Sequence, residues 1–317
     1  MDSAAPEQVV FDGFAQEHRA DPYPRYRALR EATPLYRHPV GVHLMTRYHD
    51  CAAALQEPKW ARADENGFNP FAPEVKREHL PFLWLDPPDH TRLRGLVSKA
   101  FTPRMVAGLR PLIQKTVDEL LDAALKVGEV DLIESFAYPL PLTVICDMLG
   151  VPREDHHLFG GWSTVLARGA DPGLLLPPED LTARARAMQD GKAYFQDLIA
   201  QRRAQPRDDL VSALAAVEEH GDLLSESELL NTCVMLLNAG FETTVSLIAH
   251  GTLALMRNPD QLALWRVTPD IARYTVEELL RYEPPVQLAT RVAQGRLELA
   301  GHTFNLRGRH CAATCLG

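Results

Sequence analysis

MLLNAGFETTVSLIAHG, from Met235 to Gly251, is a long apolar stretch with polar residues at its centre. At this centre lie Gly240 and the polar residues Glu242 and Thr243. A glycine inside a helix costs about 1 kcal/mol relative to alanine. A buried carboxylate costs more unless it is paired or neutralised. The helix predicted here therefore carries two residues that weaken it, and they need an explanation.

Two interpretations account for these residues. A glycine lets another group approach the helix backbone closely, and a carboxylate beside a threonine can hold water and pass a proton. Together they suit a helix that runs over a flat buried cofactor. The alternative is ordinary helix packing, with small residues where another helix crosses and with Glu242 facing a solvent channel.

The composition is that of a globular protein, with 46% hydrophobic and 24% charged residues among 317. A chain of this length can bury a sizeable core. The net charge is −9 and the basic residues are scattered, which argues against a nucleic-acid or anionic membrane surface. The five cysteines are too few and too scattered for a disulfide framework, at Cys51, Cys146, Cys233, Cys311 and Cys315.

No targeting or membrane segment is predicted. The N-terminal residues MDSAAPEQVVFDGF lack the basic and apolar regions of a signal peptide. The most apolar run, residues 233–256, contains Asn238, Glu242 and His250, which are unfavourable in a membrane span. We expect a cytoplasmic protein without a membrane or nucleic-acid partner.

Most of the chain has the periodicity of helices. Residues 103–126 and 180–204 have apolar residues at three- and four-residue spacing. The longest predicted helix begins after Ser225, which forms a capping box with Glu228, and ends at Asn258 before a proline. The runs TPLYRH and GVHLMT predict a β-hairpin, and TRVAQGRLELAGHTF predicts strand. The expected fold class is mainly α, one domain with a small β portion.

Three further stretches carry charged residues that could act together. WLDPPDHTRLRGLVSKAF places His90 and Arg94 four residues apart, on one helical face. EELLRYEPP places Glu278 and Arg281 three residues apart, and Arg291 follows in a strand-like run. Arginine offers a planar fork that suits carboxylates. Taken singly, however, each of these residues is more often part of a solvated surface.

In this order, the stretches resemble the cytochrome P-450 family of haem-thiolate monooxygenases, in its soluble bacterial form. AGFETT resembles the family's distal-helix pattern A-G-x-[D/E]-T, EELLR its E-x-x-R pattern, and DPPDHTRLR its haem-propionate helix. RYEPPVQLATRVA resembles the segment that leads to a further propionate arginine, and DDLVSAL also fits. The resemblance covers about residues 10–304. E-x-x-R alone occurs by chance, but all the motifs in order are a specific signal.

The resemblance implies roles for four residues of the long helix. Ala239 and Gly240 would let haem and O2 approach the helix backbone. Thr243, with Glu242 before it, would deliver protons during O2 cleavage. The fold implied is the cytochrome P-450 fold, with this helix passing over the haem site.

The resemblance also implies roles for the charged residues outside that helix. His90, Arg94 and Arg291 would bind the haem propionates. Glu278 and Arg281 would be structural and would hold the core beside the haem. Residues near 60–85 and 160–190 would form substrate-facing loops and lid helices.

The implied reaction is hydroxylation of a small apolar organic substrate with O2. The chain has no G-x-G-x-x-G motif, no phosphate-binding Gly-rich Lys loop and no H-E-x-x-H zinc motif. Any nicotinamide would therefore act through separate redox partners. The resemblance implies a ferredoxin and a ferredoxin reductase.

The resemblance breaks at the C-terminal end of the chain. The family's iron ligand is a cysteine in F-G-x-G-x-H-x-C-x-G, far downstream of E-x-x-R, and its thiolate donates electron density to the iron. Only 36 of the 317 residues follow Arg281. The tail NLRGRHCAATCLG lacks Phe-Gly-x-Gly, and its His310 lies five residues before Cys315 instead of two. Cys311 and Cys315 are therefore predicted not to bind iron, and His310 has no support as a substitute ligand.

We accordingly predict an incomplete haem domain at residues 1–304 and an aberrant tail at residues 305–317, from a truncated or frame-shifted gene. The axial cysteine would be absent, haem would not be held through a thiolate, and the chain would be inactive. One alternative function is a non-catalytic helical remnant that binds an apolar ligand or nothing, which a Soret band would exclude. A helical prenyl-processing enzyme needs paired aspartates, and DDLVS at Asp208 lacks the later aspartate.

Overall fold

The computed structural model describes residues 21–33, 35–38, 43–63, 77, 80–167, 177–219, 221–299, 301–304 and 311–315. The chain divides into two compact units, Met1–Pro73 with Val286–Gly317, and Glu74–Pro285. The first unit holds the main β-sheet and the second holds most of the helices. The predicted mainly α fold class is confirmed, and the structure divides the predicted single domain into these two units.

The described residues form eleven α-helices. They are α1 Tyr23–Ala32, α2 Tyr48–Gln56, α3 Asp89–Ala100, α4 Pro103–Val127, α5 Pro139–Leu149, α6 His156–Ala167, α7 Pro178–Ala204, α8 Leu210–Ala216, α9 Glu226–Arg257, α10 Pro259–Val267 and α11 Ala272–Tyr282. Phe82–Trp84 is a short 3₁₀-helix before α3, and Ile133–Ala137 is a π-helix before α5.

Nine short strands are described. They are β1 Leu35–Arg37, β2 His43–Met45, β3 Trp60–Ala61, β4 Glu218–Glu219, β5 Asp222–Leu223, β6 Leu288–Ala293, β7 Leu297–Leu299, β8 His302–Phe304 and β9 Cys311–Cys315. Five of them form a sheet in the order β1-β2-β9-β6-β3, in which only the β2–β9 pair is parallel. β4–β5 and β7–β8 are separate antiparallel hairpins. The predicted β1–β2 hairpin is confirmed, although its turn lies outside the described residues.

The first unit has its own apolar core beside the sheet. Its buried members come from both ends of the chain and are Leu35, Met45, Cys51, Ala54, Trp60, Ala293, Leu297 and Phe304. The Phe304 ring packs edge-on against the ring of Trp60, with 5.0 Å between centroids. Residues near the N-terminus and residues after 285 therefore stabilise one another.

Part of the predicted aberrant tail belongs to the main sheet. Residues 305–310 lie outside the described residues, but Cys311–Cys315 forms β9, an inner strand between β2 and β6. A strand needs backbone pairing more than a particular sequence, so an atypical run of small residues can fill this place. The predicted domain boundary at residue 304 stays a prediction.

The long helix α9 begins and ends where local signals predict. Ser225 Oγ accepts a hydrogen bond from the backbone N–H of Glu228 (3.3 Å), and Glu228 Oε2 accepts one from the N–H of Ser225 (2.8 Å). α9 packs against α5, α6 and α7.

By length and composition α9 could cross a membrane, since its most apolar 18-residue window has a mean hydropathy of 1.4. Its buried Asn231 and Thr232, however, are typical of a core helix.

A buried ion pair joins the ends of α5, α7 and α8. The guanidinium of Arg202 in α7 contacts Asp209 and also donates to the carbonyl oxygen of Gly150 (2.5 Å). The second carboxylate oxygen of Asp209 accepts from the N–H of Ser212 (2.8 Å), which caps α8. The side chains of Arg202 and Asp209 are only 3% and 5% exposed. Because a buried charge is tolerated when it is paired and hydrogen-bonded, this pair fixes the three helix ends together.

Candidate active site

The centre of α9 presents a small-residue surface with a polar pair beside it. Ala239 and Gly240 are exposed, and Glu242 and Thr243 are half-buried. Thr243 Oγ1 donates to the carbonyl oxygen of Ala239 at 2.8 Å. Such a bond to the preceding turn holds a threonine hydroxyl against its own helix. The hydroxyl of Thr243 is therefore fixed close to the exposed backbone at Ala239.

Glu242 is the titratable group of this surface. Burial raises the pKa of its carboxyl above the ordinary value of 4.5. Removing a carboxylate from water disfavours its charged form, so this carboxyl keeps its proton at higher pH than an exposed one. Glu242 is thus suited to hold and release a proton beside the Thr243 hydroxyl.

Gly240 also serves helix packing. A Cβ atom at this position would lie 3.2 Å from Ile145 Cδ1 of α5, tighter than ordinary van der Waals contact. The next residue of α9, Phe241, packs edge-on against Tyr138, with 4.9 Å between ring centroids. The glycine therefore has a packing reason in addition to the exposure of its other side.

His90 and Arg94 both lie in α3, four residues apart, and so share one helical face. His90 is half-buried and its ring lies 6.2 Å from that of Phe82, whereas Arg94 is exposed. An imidazole N–H and a guanidinium can each donate to an oxygen of a carboxylate ligand.

Arg92, between them, is a functional candidate that the sequence did not indicate. Its guanidinium contacts Asp222 of β5 (3.1 Å) and Glu228 of α9. These partners are 130 and 136 residues away along the chain, so no local spacing could reveal them. Of the two partners, only Glu228 stood out in the sequence, and its place in the capping box already accounted for it without a contact to Arg92.

Arg291 lies in β6, in the first unit, where it is half-buried. Its Nη1 donates to the carbonyl oxygen of Thr290 at 3.0 Å. His90 and Arg94 belong to the second unit. The expected convergence of Arg291 with these two residues stays a prediction.

Glu278 and Arg281 form the expected ion pair in α11. Arg281 Nε and Nη2 donate to the two oxygens of Glu278 at 2.7 and 2.6 Å, and this hydrogen bonding lowers the pKa of the Glu278 carboxyl. Both side chains are more than half exposed. A fully exposed pair of this spacing contributes little to stability. Its predicted role in holding the core stays a prediction.

The comparisons with known proteins establish the family of the chain. The family model for cytochrome P-450 matches residues 31–263. This chain belongs to the cytochrome P-450 family. It is 42% identical over 303 residues to cytochrome P-450 107B1 of Saccharopolyspora erythraea, covering 90% of this chain and 71% of that protein. It is 40% identical over 295 residues to the cytochrome P-450 monooxygenase PikC of Streptomyces venezuelae, covering 91% and 69%.

A solved structure supports the same membership. The ligand-free CYP164A2 of Mycobacterium smegmatis matches with a TM-score of 0.82 and 40% identity, over 95% of this chain and 76% of that one. The chain thus spans about 70–75% of the length of these relatives. Membership in the cytochrome P-450 family makes haem the family cofactor and monooxygenation the family reaction.

The described residues fit two parts of a haem. The imidazole of His90 and the guanidinium of Arg94 have the donor chemistry that propionate carboxylates require. Ala239 and Gly240 leave the backbone of α9 accessible to a flat group, with the proton-holding Glu242 beside them. Part of the predicted substrate-facing regions, residues 64–76, 78–79 and 168–176, lies outside the described residues.

The described cysteines do not fit the iron-ligand position. Burial raises the pKa of the Cys51 thiol to about 11, and those of Cys146 and Cys233 to about 12. All three are buried, so they remain packed thiols at neutral pH. Only the backbone of Cys311 and Cys315 is described, as the first and last residues of β9, and His310 lies outside the described residues. The described side chains therefore supply no thiolate.

Proposed function

We propose that the haem site of this chain serves hydroxylation of a small apolar organic substrate by O2 in the cytoplasm. Electrons would come from a ferredoxin through its reductase. The observation that carries the proposal is the placement of Glu242 and Thr243 beside the exposed Ala239 and Gly240 on α9.

The roles follow from the chemistry of these groups. When bound, haem supplies the iron that activates O2. Burial raises the pKa of the Glu242 carboxyl, so that it can hold and release a proton, and Thr243, the next residue of α9, carries a hydroxyl that donates to the carbonyl oxygen of Ala239. A positioned carboxyl and hydroxyl can pass protons to a reacting group. His90 and Arg94 hold and orient the propionate carboxylates.

We further propose that the 317-residue chain, on its own, does not hold iron through a thiolate and lacks monooxygenase activity. The three described cysteine side chains are buried thiols. The tail cysteines lack the glycine-rich surroundings that the family uses. Proton delivery by Glu242 and Thr243 has no effect without a ligated iron.

The alternative function is binding of an apolar ligand, or of none, without catalysis. The contact of Gly240 with Ile145 favours it, because helix packing then explains the glycine without a cofactor. The two proposals differ in whether haem enters the site beside α9.

A haem titration followed by a carbon monoxide spectrum tests the proposal. We expect the chain to show a Soret band without the thiolate-type shift when it is reduced and exposed to carbon monoxide. Arg94→Gln should weaken haem binding about tenfold, because it removes one charge-assisted hydrogen bond of at least ~1.4 kcal/mol. Arg110→Gln, which changes an exposed arginine of α4, is the matched control and should leave the affinity unchanged.

The other outcomes are equally informative. No Soret band at any haem concentration would favour the non-catalytic alternative. A thiolate-type shift would refute the proposed inactivity, and Cys311→Ala and Cys315→Ala would then identify the ligand. Equal affinity in the Arg94→Gln and wild-type chains would remove Arg94 from the site.

A further inference from the structure

Arg92 is the contact between α3, the β4–β5 hairpin and the start of α9. Nη1 lies 3.1 and 3.2 Å from the two carboxylate oxygens of Asp222, and Nη2 contacts Glu228 Oε1. The other oxygen of Glu228 accepts from the backbone N–H of Ser225 at 2.8 Å. One carboxylate therefore caps α9 and anchors α3 at the same time.

We call the contact of Arg92 with Asp222 and Glu228 the anchor, and it lies on a defined side of α3. At about 100° per residue, Arg92 lies roughly 160° from both His90 and Arg94. The buried stripe of the helix lies between the two sides and consists of Leu93, Leu96, Val97 and Ala100. The anchor is thus on one flank of the buried stripe, and the proposed propionate-binding pair is on the other flank.

An apolar stripe by itself tolerates small rotations of a helix, because leucine and valine contacts are not directional. A guanidinium that bonds two carboxylates from two different elements is directional. Arg92 is about one third exposed and Glu228 about one quarter, so the pair is only partly shielded from water. The main effect of the Arg92 contacts is therefore on the orientation of α3 and not on the free energy of unfolding.

We propose that Arg92 is a positioning residue that sets the rotation of α3 and thereby the direction of His90 and Arg94. The inference rests on the proposed function, in which that pair binds the carboxylates of haem. Arg92 itself points away from them and binds no cofactor.

The ring contact between His90 and Phe82 provides a measurement that does not need haem. Because the two rings lie 6.2 Å apart, Phe82 shifts the proton NMR signals of the His90 imidazole. In Arg92→Gln we expect this ring-current shift to be lost or strongly reduced while the protein stays folded. Arg92→Lys, which keeps the charge but not the planar fork, should give an intermediate shift.

Two further variants separate positioning from stability. In Glu228→Gln the amide oxygen can still accept from Ser225, so the cap is kept and the charge on the anchor is lost. We expect a smaller change at His90 than in Arg92→Gln, because Asp222 still pairs with Arg92, and we expect the double variant to match Arg92→Gln. Arg77→Gln is the matched control, because Arg77 pairs with Asp89 at the start of the same helix (3.0 Å), on a well-exposed surface. It should leave the His90 signals unchanged.

A lowered melting temperature with unchanged His90 signals would overturn the proposal, since Arg92 would then only stabilise the fold. Haem titration adds the functional consequence, and Arg92→Gln should weaken haem binding about tenfold. If the wild-type chain binds no haem, the proposed function fails while the NMR result still decides whether Arg92 orients His90. If haem binds and Arg92→Gln moves the His90 signals without changing affinity, the positioning role for the cofactor is refuted.

Discussion

At the residue scale, Glu242 links the proposed chemistry to stability. The folded chain holds its carboxyl in a half-buried place on α9, and this burial raises the pKa above 4.5. Between the unfolded and folded pKa values, the folded state therefore binds the proton more strongly than the unfolded state. This contribution is fully present below the unfolded pKa and is lost as the pH rises through the folded pKa.

Glu242→Gln should accordingly stabilise the chain at pH 8 and leave it nearly unchanged at pH 4, because glutamine is neutral at both. Melting temperatures from circular dichroism at the two pH values measure the effect. The control is Glu226→Gln, an exposed glutamate in the first turn of α9. It should lower stability slightly at pH 8, since a negative charge there favours the helix dipole. The same change at both pH values in Glu242→Gln would contradict the burial argument.

The site residues that could be predicted from the sequence are those marked by their spacing within one helix. His90 and Arg94, or Glu278 and Arg281, are recognised by their spacing on one helix. Arg92 and the Arg202–Asp209 pair were missed because their contacts join separate elements and depend on packing. The contact of the Gly150 carbonyl oxygen with Arg202 likewise joins separate elements and could not be read from the sequence.

At the element scale, two glycines that end helices differ in ψ and in their surroundings: ψ is −67° at Gly128, outside the left-handed helical region, and 25° at Gly150, inside it. Gly128 after α4 and Gly150 after α5 both have positive φ, at 91° and 77°. A Cβ at Gly128 would meet nothing within 4 Å, whereas one at Gly150 would lie 2.1 Å from Asp209 Oδ2. The second glycine therefore also makes room for the buried Arg202–Asp209 pair.

Gly128→Ala should cost about 1–3 kcal/mol in the free energy of unfolding, from backbone strain alone. Gly150→Ala should cost about 4 kcal/mol or more, because ~1 kcal/mol of strain in the left-handed region adds to the displacement of a carboxylate from a buried cation, which costs ~3 kcal/mol or more. Urea unfolding of both variants gives the comparison. Equal losses would mean that Asp209 can move without breaking its contact with Arg202.

The helices were easier to predict than the sheet. α9 was expected from Ser225 to Asn258 and is observed at Glu226–Arg257, since a capping box and an Asn-Pro pair mark its ends locally. The order of the main sheet depends on pairings between strands far apart in sequence. In particular, the inner place of β9 follows from contacts with β2 and β6, which no pattern in the tail indicates.

At the scale of the whole molecule, α10 and α11 have a largely exposed apolar surface. None of their residues is buried. We define the α10–α11 surface by the exposed residues Leu264, Val267, Tyr274, Val276 and Leu280. Exposed apolar side chains at this density favour association or aggregation.

The chain should therefore associate as its concentration rises, which light scattering after size exclusion would measure. Val267→Ser combined with Tyr274→Ser should reduce the association, because both side chains are more than 70% exposed. Tyr48→Ser, at an 80% exposed tyrosine of the first unit, is the control and should have no effect. A monomeric mass at all concentrations would show that the α10–α11 surface does not drive association.

The inner position of β9 also has a consequence for biosynthesis. In the main sheet β9 lies between the β1–β2 hairpin and β6, and His43 of β2 is opposite Ala312 of β9. The ribosome therefore adds about 270 residues after the hairpin before its partner strand exists. At roughly 5–20 residues per second, this takes on the order of 15–50 s. During that interval the edge of β2 is open, and an open edge can pair with another nascent chain. Chaperone protection of the emerging N-terminal hairpin would therefore matter most before translation finishes.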